Sequence, residues 1–217
     1  MNSPIPLLSD SLEFPDPRRA QDGLVAIGGD MSVPRLLEAY RQGIFPWTAD
    51  PLTWWSPDPR GIFELGQFHV PRSLAAELKK GRFQITFDRA FRRVIQSCAW
   101  QRRHHTWIAP DFVESYSRLH EAGHAHSVEC WLQNDLAGGV YGVAIGGFFA
   151  GESMFHRADN ASKVALCHLV ERLRARGFAL FDIQMVTPVT EQLGAKLISR
   201  DEYLARLKTS IGLPAKF

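Results

Sequence analysis

Asp182 and Gln184 are the only polar residues in the stretch 178–184, whose other members are Phe, Ala, Leu, Phe and Ile. Read as a strand, the stretch sends alternate side chains to opposite faces. Asp182 and Gln184 then share one face, and Phe181 and Ile183 share the other. A carboxylate and an amide at the end of an apolar strand admit two explanations. In the first, the strand is ending and both groups are solvated. In the second, the pair opens into a cleft between splayed strands. There an amide oxygen can accept a hydrogen bond from a reacting group, and a carboxylate can polarise it. A second carboxylate, Glu152, follows another apolar run, Phe148-Phe-Ala-Gly151.

A further arrangement has metal-ligand spacing. His120-Glu-Ala-Gly-His124 matches HExxH, in which two histidines on one helix face bind zinc and the glutamate acts as base. Here Gly123 interrupts the motif, and the residues that follow turn to strand alternation. The helix is expected to end at Gly123, leaving His124 beyond its cap. Glu152 is the one tempting third ligand, and it lies across a hairpin. No metal is expected, and a zinc hydrolase on His120, Glu121 and His124 is kept as an alternative.

Basic residues gather at Arg72, Lys79, Lys80, Arg82, Arg92, Arg93, Arg102 and Arg103, beside His104 and His105. Such runs are usually solvated faces, but several close together can form a patch for phosphates. Trp100 and Trp107 flank the Arg-Arg-His-His run. Three of the six tryptophans, Trp47, Trp54 and Trp55, fall within nine residues. Tryptophan suits stacking on a flat ligand, and it equally suits stapling a small domain to its neighbour.

These groups must be positioned by the stretch 138–184. It reads as strands 136–145 and 148–152 joined by a Gly146-Gly147 turn, a favoured hairpin connection. A polar segment 156–162 follows, then a helix 163–176 with Leu166, Leu169, Val170 and Leu173 at helical spacing, stopped by Gly177. The last strand is 178–184. Upstream, residues 1–60 carry nine of the thirteen prolines and read as loop-rich, with one helix at 33–42 between Ser32 and Gly43. Gly28-Gly29-Asp30 is a turn, with no GxGxxG and no following lysine to make it a nucleotide loop.

Between these lie an extended segment 68–70, a helix 72–80 stopped by Gly81, a strand 83–87, a helix 89–99 capped by Asp88, a helix 112–120 capped by Asp111, and a strand 127–133 with an Asn134-Asp135 turn. A short helix 187–193 and a last helix 202–209, opened by a Ser199 capping box, close the chain. The fold class is α+β: a mixed sheet with flanking helices over 61–217, plus a small N-terminal domain over 1–60.

Composition sets broad limits. The chain has 217 residues, 45% hydrophobic and 22% charged, with a formal charge of +2. The charge is too small to imply nucleic acid by itself. Three cysteines without a CxxC suggest no disulfide framework and point to a reducing cytoplasm. Met1-Asn-Ser-Pro-Ile-Pro6 has no basic or apolar core of a signal peptide, and no apolar run approaches membrane-spanning length.

The order strand, strand, polar turn, helix, strand is that of an N-acetyltransferase-type (GNAT-like) core. Such enzymes hold the CoA pyrophosphate on a glycine-bearing loop before the helix. This chain has His156-Arg-Ala-Asp-Asn-Ala-Ser162 there, without glycine, so the usual anion cradle is missing. CoA is not expected, and no other cofactor is. A CoA-dependent N-acetyltransferase is kept as an alternative.

Over nearly its full length the chain resembles the leucyl/phenylalanyl-tRNA–protein transferase family. The resemblance rests on Asp22-Gly-Leu-Val-Ala-Ile-Gly-Gly-Asp30, Gly43-Ile-Phe-Pro-Trp47, Trp54-Trp-Ser-Pro-Asp-Pro-Arg60, Thr106-Trp-Ile108, Gly123-His-Ala-His-Ser127, Gly151-Glu-Ser-Met-Phe155, Asn160-Ala-Ser-Lys163 and Asp182-Ile-Gln184. It implies a cytoplasmic aminoacyltransferase that moves Leu or Phe, and Met less well, from aminoacyl-tRNA to proteins beginning with Arg or Lys, marking them for degradation by the N-end rule.

The matching positions imply roles. Asp182 and Gln184 are catalytic, Glu152 holds the acceptor's cationic side chain, and Phe149, Met154 and Leu166 form the donor side-chain pocket. Trp47 and Trp107 hold the terminal adenosine, and Lys79, Lys80, Arg82, Arg92 and Arg93 meet acceptor-stem phosphates. His156 departs from the family pattern, which has a small residue there. The chemistry suits these residues. An aminoacyl ester is already activated, and an α-amine with a pKa of roughly 7.7–8.0 needs only mild help to lose its proton. Whether Asp182 and Gln184 relay that proton, or the tRNA 2′-hydroxyl does, stays open at this point. A monomer is expected.

Overall fold

Residues 4–101 and 108–217 are described by a computed structural model of the chain. Two sheets carry the molecule. The smaller contains β1 (Leu7–Leu8), β2 (Leu24–Gly28), β3 (Phe45–Ala49) and β4 (Leu52–Trp55) in the order β1-β2-β4-β3. The larger contains β5 (Arg60–Phe63), β6 (Gln84–Phe87), β7 (Ala125–Leu132), β8 (Asp135–Ile145), β9 (Phe148–His156), β10 (Leu180–Gln184) and β11 (Ala195–Ile198). Its order is β11-β5-β10-β9-β8-β7-β6. Only the β9–β10 pairing is parallel; the others in this sheet are antiparallel.

Seven α-helices accompany the sheets among the described residues: α1 (Val33–Arg41), α2 (Arg72–Lys80), α3 (Phe91–Gln101), α4 (Pro110–Glu121), α5 (Ala161–Ala175), α6 (Pro188–Gln192) and α7 (Arg200–Ser210). None is long and apolar enough to cross a membrane. The larger sheet separates two apolar cores. On one face, α1, α3, α4, α7 and the small sheet pack around Tyr40, Trp54, Phe112, Tyr141 and Tyr203. On the other, α5 and α2 pack around Val140, Phe149, Leu166, Leu173 and Phe181. Each aliphatic side chain that α5 buries is worth roughly 1.5–3 kcal/mol, which fixes this helix across β7 and β8.

The expected α+β class and the order strand, strand, helix, strand are found in β8, β9, α5 and β10. The Gly146-Gly147 connection joins β8 to β9. A Cβ at Gly146, where φ is +55°, would come within 2.4 Å of Ile211 O, so both backbone freedom and space require glycine.

Several expected elements differ. The N-terminal segment is loop-rich with one α-helix, as expected, but it also carries four short strands of two to five residues that were not expected. Pro46 sits inside β3, which is tolerated because β3 is an edge strand. Strands β5 and β11 were not expected. Residues 68–70 form no strand. β9 runs on to His156, so the polar segment is shorter. Asp88 does not cap α3. Its carboxylate instead accepts from Ser127 N and pairs with His126 Nδ1, both at 2.8 Å, tying it to β7. Asp111 lies in the first turn of α4, whose N-cap is Ala109. The turn before β8 is Gln133-Asn134.

Candidate active site

The site begins where β9 and β10 part. β10 pairs with β9 through only three residues, Leu180 to Asp182 opposite Phe148 to Ala150. Beyond that, β9 continues against β8 as far as His156. β10 instead bulges: its register against β5 shifts between Asp182 and Gln184, and Gln184 takes φ +57°. A glutamine in this left-handed region is strained, and such strain tends to mark functional positions. The turning chain passes against Gly61, where a Cβ would meet Met185 C at 2.8 Å. The splayed strands expected from the sequence are thus present.

Asp182 is fully buried, so the solvated alternative does not hold. Its Oδ1 accepts from Arg60 Nε and from Gln184 N, both at 2.9 Å. Its Oδ2 accepts from Arg60 Nη2 at 2.7 Å and from the Tyr203 hydroxyl at 2.8 Å. Arg60 also donates to Gly43 O at 3.0 Å, and its guanidinium lies between the rings of Phe45 and Tyr203. Burial is the largest single influence on the Arg60 pKa and acts to lower it, but the charge and hydrogen bonds of Asp182, with Tyr203 and Glu152, together outweigh it and the net shift is upward. Burial raises the Tyr203 pKa well above the usual phenol, so its hydroxyl stays a donor. Asp182 therefore reaches Gln184 through the backbone N–H, not through the amide side chain.

The Gln184 amide has its own partner. Nε2 donates to Glu152 Oε1 at 3.2 Å, and Oε1 has no protein partner among the described residues. Glu152 Oε2 accepts from the Tyr116 hydroxyl at 3.3 Å, and Tyr116 shares a 2.5 Å contact with the Tyr40 hydroxyl. Burial of the Glu152 carboxyl is the largest influence on its titration. The hydroxyls of Tyr40 and Tyr116 oppose it and the Asp182 charge adds to it, and the pKa is pushed up to about 8. Part of Glu152 remains open to solvent through the cavities it lines.

Two cavities meet at this pair. One, of about 180 Å³, is lined by Phe45, Pro46 and Trp47 of β3 facing Glu152, Gln184 and Met185. The other, of about 140 Å³, occupies the gap between the strands and includes Phe63, Val140, Met154, Leu166 and Phe181 in its lining. Glu152, Ile183, Gln184, Met185 and Thr187 belong to both. Trp47 packs against the rings of Phe45 and Trp55 at 5.9 and 5.7 Å.

The structure thus brings together Asp182, Gln184, Glu152, Trp47, Met154 and Leu166. Phe149 lines neither cavity; it packs behind Phe181 at 5.6 Å. Trp54 is buried and donates to Gly28 O at 2.9 Å, a structural staple. Trp107, with Arg102, Arg103, His104 and His105, lies outside the described residues. The basic residues divide. Lys80 and Arg82 share the carboxylate of Glu77, Arg92 pairs with Glu114, and Arg93 lies over the Trp131 ring. Lys79 is in the last turn of α2. α4 ends at Glu121, ahead of Gly123 at φ +80°, and His120 stacks on Phe91 with Nδ1 against Ala125 O.

Sequence reasoning missed Arg60, Tyr203, Tyr40 and Tyr116. One signal was available for Arg60: an aspartate inside an apolar strand requires a cation nearby.

Comparison with known proteins identifies the family. Residues 62–208 match the family model for leucyl/phenylalanyl-tRNA protein transferase, and residues 29–58 match that for its N-terminal domain. The chain is 50% identical to the leucyl/phenylalanyl-tRNA–protein transferase of Azotobacter vinelandii over 96% of each chain. It is 48% identical to that of Pseudomonas fluorescens over 97% of this chain and 96% of the other. Among solved structures, a GCN5-related N-acetyltransferase from Kribbella flavida superposes with a TM-score of 0.43 at 12% identity, covering 75% of this chain and 60% of that one. On the family-model match and near-full-length identity, this chain belongs to the leucyl/phenylalanyl-tRNA–protein transferase family and is an aminoacyltransferase.

Proposed function

We propose that the chain transfers Leu or Phe, and Met less well, from aminoacyl-tRNA to the N-terminal Arg or Lys of acceptor proteins in the cytoplasm, creating an N-end-rule degradation signal. It acts as a monomer, with residues 1–60 forming a small domain that carries Trp47 and residues 61–217 forming the catalytic domain. The observation that carries this reading is the position of Gln184 and Glu152 on the wall shared by an aromatic-lined cavity and an apolar one. The terminal adenosine stacks in the first, on Trp47; Trp107, the second tryptophan given this role, lies outside the described residues. The donor side chain enters the second, against Met154 and Leu166, with Phe149 behind. Methionine's flexible thioether suits a site that takes both Leu and Phe. The ester then lies at the shared wall.

The reaction needs positioning more than acid–base power. The acceptor α-amine attacks the ester carbonyl carbon; a C–N bond forms and the bond to the ribose oxygen breaks. Gln184 Oε1 accepts a hydrogen bond from the amine. Asp182 is saturated by four donors and matched in charge by Arg60, which supports an orienting role for it. The amine proton then passes to the ribose oxygens of the leaving tRNA. Glu152 pairs with the acceptor's cationic side chain, whereas an acidic acceptor would bring two carboxylates together. Lys79, Lys80, Arg82, Arg92 and Arg93 meet acceptor-stem phosphates without reading sequence.

Incubating Leu-tRNA with peptides beginning Arg, Lys, Asp or Glu tests this. Transfer to Arg and Lys only is expected; transfer to Asp or Glu, or acetyl transfer from acetyl-CoA, overturns it.

A further inference from the structure

A third cavity, of about 280 Å³, opens beside α3 and is lined by Arg93, Gln96, Ser97, Trp100, Leu136 and Arg157. Among the described residues no carboxylate lines it. Its two arginines differ from their basic neighbours. Lys80, Arg82 and Arg92 each pair with a glutamate. Among the described residues neither Arg93 nor Arg157 has an acidic partner. Each is held by an aromatic ring instead: Arg93 over Trp131 at 5.1 Å and Arg157 over Phe155 at 5.8 Å. Arg157 also donates to Ser97 Oγ at 3.2 Å. Guanidinium groups fixed this way keep their charge and most of their donors for an anion, and the planar fork fits phosphate oxygens. At the rim, Trp100 is 62% exposed and offers a flat apolar surface.

Location adds to the chemistry. β9 carries Glu152 and ends at His156, immediately before Arg157. At about 3.3 Å per residue, Arg157 lies roughly 17 Å along from Glu152. At a rise of about 3.4 Å per stacked nucleotide, that is about five nucleotides.

We propose that this cavity is a second nucleotide subsite, which takes a backbone phosphate between Arg93 and Arg157 and stacks a base on Trp100, about five nucleotides in from the aminoacylated end. It rests on the reading of the chain as one that takes aminoacyl-tRNA, and it adds a contact that a short donor cannot reach.

The test compares two donors: a fluorescent acceptor-stem minihelix ending in CCA, and aminoacyl-adenosine. Arg157→Ala, Arg93→Ala and Trp100→Ala should each weaken minihelix binding about ten-fold. The two arginine variants should also reduce the slope of log affinity against log salt by roughly 0.7–0.9, while Trp100→Ala leaves it unchanged. Arg157→Lys should keep the slope and lose part of the affinity. Transfer from aminoacyl-adenosine should be unaffected in Arg157→Ala, Arg157→Lys and Trp100→Ala, which also shows that each has folded. Wild-type minihelix affinity in all variants overturns the subsite alone. So does an equal loss with aminoacyl-adenosine, or a defect confined to the protein acceptor. A wild-type chain that does not bind the minihelix overturns both this and the proposed function.

Discussion

Arg60 and Asp182 form a two-pronged ion pair, at 2.9 and 2.7 Å, with side chains 1% and 0% exposed. It joins β5 to β10 directly beneath the bulge that presents Gln184. Removing one partner leaves the other charge buried and unmatched, which typically costs about 3–5 kcal/mol. Asp182→Ala and Arg60→Ala should therefore destabilise the fold by similar amounts in urea titrations. They should also reduce transfer alike, although Arg60 lines neither cavity. A stable Arg60→Ala protein with full activity would contradict the positioning role.

Gln184 should behave differently. Its side chain adds one hydrogen bond to Glu152 and a free amide oxygen in the cavity, so Gln184→Ala should fold normally. Single-turnover transfer should fall about 100-fold, within the usual range for a group that assists proton removal. Donor affinity should change little. A parallel loss of donor binding would show that Gln184 holds substrate and does not assist the amine.

Glu152 makes the chain sensitive to pH. Its carboxyl keeps its proton to about pH 8, against an ordinary value of 4.5, with burial as the main cause. A cationic acceptor side chain favours the ionised form, so affinity for an Arg-led peptide should rise as pH climbs from 6.5 toward 8.5. The stability sign is opposite. Below the ordinary value both folded and unfolded chains hold the proton. As pH rises toward 8, the unfolded chain releases it first, and this group's contribution to stability is lost. Glu152→Gln should flatten both profiles, as read by peptide titration and urea melts at pH 5 and 9.

Trp47 should matter to the donor alone. Base stacking on an aromatic ring contributes about 1–3 kcal/mol. Trp47→Ala should raise the Kd for aminoacyl-adenosine at least several-fold and leave the KM for the acceptor peptide unchanged. Equal donor affinity in both proteins would remove Trp47 from the adenosine site.

Much of this fold was legible in the sequence where periodicity and glycine stops agree. The helix read at 72–80 coincides with α2, and the hairpin at Gly146-Gly147 joins strands that lie within a few residues of those expected. The small sheet was hidden because its strands are short and interrupted by proline, so neither alternation nor composition distinguishes them from loop. β5 was hidden differently: it is buried along its whole length and begins with an arginine, a residue that reads as surface. In the site, the Asp182 and Gln184 spacing drew attention to β10, which bulges where it presents Gln184. The chemistry of the pair depends on Arg60 and Tyr203, which lie 122 and 21 residues away from Asp182 and meet it only in space. Tyr40 and Tyr116 were likewise invisible, since each reads as one more apolar position on its helix.

The Arg60 guanidinium touches both halves of the molecule, through Gly43 O just ahead of β3 and through Asp182 in β10. Trp47 and Gln184, on opposite walls of one cavity, are thereby clamped at a fixed separation. A jaw-like opening would tear a desolvated charge away from its hydrogen bonds, so the entrance has to be set when the chain folds. Widening the slot between Trp47 and Gln184 would cost the Arg60–Gly43 hydrogen bond that bridges its walls.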